Sequence, residues 1–332
     1  MGRNLRSLPG FCKQHGKSLT ACTTHDILRY VAWLAHEGQV SADSMQPYLS
    51  AINKLYQDLG LPAIASGHLV SNTVKGFLGM QKRLVPRALT RSPISAQVIY
   101  DMLAPAAFAL HSPNLPPLVK LRAARACLAT VLAFVFFARP GAHANLLDAD
   151  LVITSQPQAG IQLLPRGTKG KGRVPAHRLA PLFVPAEVFT APRCGLAPVD
   201  LVALLAEFKQ LRDSSFGDKT PVHMWALPGE DSVSFSSQHQ TAWLQHALWL
   251  ASHSPPPGYT WTGHSMRKGA ASAASAVGVP LPKICHYGGW SVTSYVVVRD
   301  YIDPTYPVTP AALFFFSWLT QGTCATVAVP AP

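Results

Sequence analysis

The sequence predicts a helix-dominated α+β protein, mainly α with a small β-sheet, in two domains. Three observations predict it. Residues 1–90 carry three amphipathic runs at helical spacing, strand-like segments are confined to a Pro/Gly-punctuated stretch within 151–178, and 332 residues with 48% hydrophobic content suffice for two domains and an ample core.

The first run follows Thr24: Ile27, Leu28, Val31 and Leu34 share a face and Gly38 closes it. A second places Leu49, Ile52, Leu55, Tyr56 and Leu59 on one face ahead of Gly60 and Pro62. A third starts near Ser71, carries Val74, Phe77 and Leu78, and ends in Gln81-Lys82-Arg83. These runs define a helical domain over 1–90. Leu84 to Pro93, with two prolines, two arginines and no periodic pattern, reads as the linker to a second domain over 91–332.

In that second part Ala126 to Ala138 is apolar all round, as a core helix is, and leads into Arg139-Pro140-Gly141. A charge at the rim of such a helix either caps its last carbonyls or faces an anion. Leu151–Thr154, Ile161–Leu164 and Arg173–Arg178 read as short strands. Between the last two lies Thr168-Lys-Gly-Lys-Gly172, whose composition fits a solvated hairpin tip as well as it fits a functional loop, and which lacks the spacing of a phosphate-cradling P-loop. Val199 to Arg212 and Gln240 to Ser252 have the pattern of packing helices. The apolar segment Ala311 to Leu319 either packs on its own core or docks on a neighbouring copy.

Charge narrows the function. Lys and Arg exceed Asp and Glu by 28 − 16 = 12, and residues 1–90 hold 10 basic against 4 acidic residues, a net +6 in little more than a quarter of the length. A polyanionic partner, nucleic acid or an anionic membrane, is therefore the leading expectation. Six scattered cysteines without a CxxC argue against a zinc knuckle or a disulfide framework, and thirteen histidines without an HExxH give no metal pattern, although His143, His177 and His286 lie near the motifs below. The longest apolar run is about a dozen residues, short of a membrane span. The N-terminus has no apolar signal segment, and Arg6 stands where myristoylation needs a small hydroxyl residue. No cofactor is expected.

The most informative stretch is Thr260 to Thr305. Thr262 is placed to cap a helix, Gly278 to end it, and Pro280 lies just beyond, so His264 and Arg267 fall at i and i+3 on one face. Between them and Gly278 the residues are almost all Ala, Ser and Val, which admit a close neighbour and offer no catalytic group. Gly288-Gly289 turns the chain to Trp290, and SVTSYVVVRDYI follows with Ser291 as a cap and Tyr301 near the end of a helix. Arg, His and Tyr without nearby carboxylates point to phosphate chemistry.

HSMRKGAA, then Gly-Gly-Trp, then Asp-Tyr-Ile resembles the C-terminal signature of the tyrosine recombinases (the phage-integrase family), and most the DIRS-like and Crypton-like versions of eukaryotic mobile elements. The resemblance implies a helical SAM-like core-binding domain followed by a recombinase catalytic domain, double-stranded DNA as partner, and a homo-tetramer assembled on DNA. It also implies nuclear placement, although no import run of Lys and Arg is present. For the site it implies Arg139, Lys169, His264, Arg267, Trp290 and Tyr301, with Lys171 the alternative to Lys169 and Tyr295 the competitor of Tyr301. Two departures stand out. Ala142 occupies a position where the family often has an acidic residue, and Trp290 and Tyr301 are eleven residues apart, more than in the family pattern.

The chemistry so implied needs neither metal nor nucleotide. A Tyr oxygen attacks phosphorus and keeps the bond as a 3′-phosphotyrosyl ester. Arg139 and Arg267 clamp the non-bridging oxygens, His264 helps take up the Tyr proton, Trp290 offers an indole N–H, and Lys169 protonates the leaving 5′-oxygen. The rival readings are a type IB topoisomerase-like enzyme and a domesticated DNA-binding protein without cleavage.

Overall fold

The computed structural model describes residues 8–36, 40, 45–84, 90–156, 158–164, 181–190, 195–217, 219, 221–230, 234–293 and 295–320. The chain divides into two compact units, Met1–Ala88 and Leu89–Pro332.

Among its described residues the first unit has helices α1 (Leu8–Gln14), α2 (Thr24–His36), α3 (Gln46–Asp58) and α4 (His68–Leu84). Helix α1 was hidden in the sequence by Pro9-Gly10, yet it buries Leu8, Phe11 and Cys12. Helix α2 is capped one residue earlier than Thr24. Thr23 and Asp26 form a reciprocal box, in which the Thr23 N–H donates to the Asp26 carboxylate at 2.9 Å and the Asp26 N–H donates to Thr23 Oγ1 at 3.3 Å. Helix α3 buries Leu49, Ile52 and Tyr56, and Gly60 follows at φ +69°. Leu59, placed on the apolar face by its spacing, is instead exposed at the helix end. Helix α4 starts earlier than Ser71, at His68, and adds Val70 to the core. Gly38 lies outside the described residues.

In the second unit the order is β1 (Thr90–Arg91), α5 (Ala96–Asp101), α6 (Leu103–His111), α7 (Pro117–Val135), α8 (Pro140–Ala144), β2 (Leu151–Thr154), β3 (Gly160–Leu163), β4 (Leu182–Pro185), α9 (Glu187–Thr190), α10 (Leu201–Phe216), α11 (Ser237–Leu250), β5 (Tyr259–Thr260), α12 (Gly263–Ala276), α13 (Leu281–Gly288) and α14 (Pro310–Thr320). Strand β1, read from sequence as linker, pairs in parallel with β5.

Helix α7 is the centre. It is longer than the apolar run, beginning with Pro117 at a position that needs no N–H donor, and every residue from Ala123 to Val135 is buried. Helices α6, α10, α11 and α12 pack against it. Helix α14 lays Phe314, Phe315 and Phe316 into the same core, with Phe316 against Phe134 and Phe137 at ring separations of 5.4 and 5.2 Å. The C-terminal apolar segment therefore packs on its own chain.

The sheet is antiparallel in the order β2-β3-β4, with Leu151 opposite Leu163 and Leu163 opposite Leu182, so alternate residues share one buried face. Its third strand is Leu182–Pro185. The expected strand Arg173–Arg178 lies outside the described residues, as do Lys169, Lys171 and His177.

The helix expected from Ser291 to Tyr301 does not form as such. Val292 and Thr293 make a turn, and among the described residues helical structure is confined to Val296 and a single π turn over Val297–Tyr301, with the Arg299 N–H donating to the Tyr295 carbonyl and the Ile302 N–H to the Val297 carbonyl, each at 3.0 Å. Val292, Thr293, Val296, Val297 and Val298 explain this, because β-branched side chains lose χ1 freedom in a helix. A π turn takes an extra residue, and the long Trp290–Tyr301 spacing is accommodated there.

Candidate functional site

Helix α12 is preceded by its N-cap Thr262, whose N–H donates to Ser265 Oγ at 3.2 Å, while the Ser265 N–H donates back to the Thr262 carbonyl at 2.8 Å. Gly263 makes room for another element: a Cβ there would lie 2.6 Å from Pro140 Cβ. The turn that carries Arg139 is thus seated directly on the N-terminus of the helix that carries His264 and Arg267. The far end of α12 stops at Gly278, φ +86°, with the Val279 N–H returned to the Ala274 carbonyl.

Arg267 is the buried centre of the site, 2% exposed. Its two terminal nitrogens donate to the carbonyls of Phe137 and Gly288. Its guanidinium carbon lies 3.8 Å from the centroid of the Trp290 ring and 5.5 Å from that of Tyr301, and those two rings are 4.8 Å apart. The backbone is shaped to supply the carbonyls. Phe137 sits at φ +50°, a left-handed conformation rare for a bulky residue, just past the end of α7. Gly288 is required because a Cβ there would fall 1.8 Å from the Trp290 ring.

Arg267 is held below its ordinary pKa, at about 10, by burial first and then by the like charge of Arg139, while Tyr301 acts in the opposite direction. It stays charged at neutral pH. Its Nε is buried without a hydrogen-bond acceptor among the described residues. Neither Arg267 nor Arg139 is ion-paired to a carboxylate of the described residues. Two guanidinium charges that repel one another, one with a spare buried donor, make a site that an anion would complete.

Arg139 is half-buried and immediately precedes α8, where its carbonyl accepts the His143 N–H at 2.9 Å. His143, four residues on, is a core histidine. Its Nδ1 is 2.9 Å from Gln240 Oε1, its carbonyl accepts from Trp225 Nε1, and burial pushes it down to about 4, so it is neutral at physiological pH. His264 lies on the first turn of α12 and is exposed. The structure thus brings Arg139, Arg267, Trp290 and Tyr301 together and sets His264 one turn from Arg267. Tyr295 is 85% exposed.

One contributor was invisible in the sequence. Ser272, one of the small residues of α12, is fully buried; its hydroxyl donates to the Tyr301 carbonyl at 3.1 Å and accepts the Asp303 N–H at 2.9 Å. It anchors the backbone on which Tyr301 is mounted. Nothing in its spacing separates Ser272 from Ser275, so only the close approach of the Tyr301 segment could reveal it.

Residues 2–60 match the family model described as phage integrase, N-terminal SAM-like domain. Among solved structures, that of the XerH site-specific recombinase bound to palindromic difH substrate, a post-cleavage complex, matches with 11% identity over 89% of this chain and 74% of that one, at a TM-score of 0.50. A lambda integrase tetramer bound to a Holliday junction matches with 18% identity over 88% and 69%, at 0.47, and the XerA recombinase with 16% over 92% and 86%, at 0.41. No curated protein matches the sequence. The chain therefore carries the integrase SAM-like domain at its N-terminus and has the fold of the tyrosine recombinases, as its sequence motifs led one to expect. The affinity to the eukaryotic mobile-element versions rests on the motif alone.

Proposed function

We propose that this protein is a site-specific DNA recombinase, encoded by a mobile element and acting in the nucleus as a homo-tetramer on double-stranded DNA. In this reading it cuts and rejoins strands through a 3′-phosphotyrosyl intermediate at Tyr301. One observation carries it: the Tyr301 ring, the Trp290 ring and the buried Arg267 guanidinium are in mutual contact, with the charge of Arg139 acting on the same point. A scissile phosphate offered there would meet the spare donors of two arginines beside a tyrosine hydroxyl. His264, within a turn of Arg267, takes up the Tyr proton, and Lys169 delivers one to the 5′-oxygen. Developing charge on the non-bridging oxygens falls to Arg139 and Arg267.

The test is incubation with supercoiled plasmid in EDTA, quenching in denaturant, and a search for protein covalently joined to DNA. The unmodified chain and Tyr295→Phe are expected to give the adduct, and Tyr301→Phe to give none. DNA binding without any adduct, on plasmids bearing the element's own terminal repeats as well, would replace this reading with that of a DNA-binding protein that does not cut. Relaxation of a plasmid carrying no paired sites would favour the topoisomerase-like alternative.

A further inference from the structure

The N-terminal unit contains a feature that DNA strand exchange does not use. Cys12, on the last turns of α1, and Cys22, which closes the 3₁₀ turn Leu19–Ala21, face one another with sulfurs 3.4 Å apart, 2% and 8% exposed. Both ends are fixed by other bonds. The Lys17 N–H donates to the Cys12 carbonyl at 2.9 Å, Cys22 Sγ donates to the Ser18 carbonyl at 3.5 Å, and the Tyr56 hydroxyl donates to the Leu19 carbonyl at 2.5 Å. The other described cysteines, Cys127 and Cys285, are buried and free.

A thiol is a weak donor and a weak acceptor, so this contact contributes little as it stands. What it does is hold two sulfurs of different elements within a small movement of bonding distance. Helix α1 is seven residues long, below the length at which a helix persists alone, so its place depends on Leu8, Phe11 and Cys12. Its neighbourhood includes a cleft of about 340 Å³ lined by Phe11, His15, Lys17, Asp26, Arg29 and Trp33, and a covalent tie at Cys12 would fix one wall of that cleft.

We propose that Cys12 and Cys22 are a reversible dithiol–disulfide pair that staples α1 to the Leu19–Cys22 turn when a low-molecular-weight disulfide is present. Cys22, the more exposed of the two, starts the exchange, and burial holds the Cys12 thiol above its ordinary pKa. The Cys22 sulfur attacks one sulfur of glutathione disulfide, and one glutathione leaves with the Cys22 proton. The Cys12 sulfur then attacks Cys22 Sγ in the mixed disulfide, and the second glutathione leaves with the Cys12 proton. The net change is two protein thiols and one glutathione disulfide converted to one protein disulfide and two glutathiones.

The test uses the full chain, folded, treated with glutathione disulfide, quenched with an alkylating reagent under denaturing conditions, and digested with trypsin without reductant. Lys13 and Lys17 lie between the two cysteines, so trypsin separates Ser7–Lys13 from Ser18–Arg29 unless a disulfide joins them. The expected result is a joined pair, lighter by two hydrogens than the sum of the free peptides and parted by reductant, with a thermal midpoint raised by several degrees over the reduced chain. Cys12→Ser and Cys22→Ser should each remove the joined species and the thermal shift. Two alkylated peptides, a stable glutathione adduct on Cys22, or a bond from either cysteine to another chain would each overturn the proposal.

Discussion

Arg267 shows how one side chain is held for one task. A guanidinium has enough N–H groups to bond two carbonyls, lie on an indole and still keep donors for a ligand, which an ammonium cannot do. Arg267→Lys is therefore expected to lower adduct formation about 100-fold or more while plasmid binding persists, measured by denaturing gel beside a mobility-shift assay. The glycines that shape the site make a separate prediction. Gly288→Ala drives a methyl into the Trp290 ring and should destabilise the chain by about 1–3 kcal/mol in urea unfolding. At this scale the motif residues were legible because they are polar or aromatic among Ala, Ser and Val. Ser272 and Phe137 were not, since their parts depend on a backbone brought in from elsewhere.

Single elements are decided by local chemistry tempered by packing. The box at the start of α2 holds the Asp26 carboxyl down at about 2, chiefly through the Thr23 backbone N–H and then its hydroxyl, with Lys17 at 3.3 Å assisting against the cost of burial. A depressed folded-state pKa stabilises the fold above the unfolded value and loses that contribution as pH falls through the folded one. The stability advantage of the unmodified chain over Asp26→Asn should thus be about 1–2 kcal/mol at neutral pH, full above about pH 4, and should fade towards pH 2, as followed by urea titrations across that range. Helix α14 is read by its composition, and its destination by its packing. Phe315→Ala removes a buried ring against Phe134 and should cost about 3–5 kcal/mol in the same measurement. The segment after Trp290 went the other way: its spacing suggested a regular helix, and its β-branched content prevented one.

Across the whole molecule the excess of 12 positive charges is not all directed at a partner. Arg212 is fully buried and donates to Asp148 at 2.7 Å, to Asp213 at 2.7 Å and to the Met224 carbonyl at 2.6 Å, and it and Lys209 hold Asp148 below the usual carboxylate range despite the opposing effect of burial. Arg125 pairs with Glu230 and lies 5.2 Å from the Trp243 ring. These two are structural. Arg212→Ala should cost about 3–5 kcal/mol of stability, because carboxylates and a carbonyl lose their donor, while the salt dependence of DNA binding by the folded fraction keeps its slope. Charge counting in the sequence cannot make this distinction, since it sees an arginine and not its surroundings.

What the sequence determined by itself was the helical character of the N-terminal region, the apolar core of α7, two strands of the small sheet, and a string of residues suited to phosphate: these follow from periodicity, capping and composition, all local properties. The tertiary structure decided which of them meet. Arg139 and Arg267 are over a hundred residues apart, and their charges act on one point because Pro140 sits against Gly263 and the end of α7 offers Phe137 O to α12. The structure also decided that Tyr301 and not Tyr295 lies against the arginine, through a π turn and the Ser272 hydroxyl. Contacts between distant segments depend on the volume and hydrogen-bonding needs of a shared core, which no short window of sequence contains.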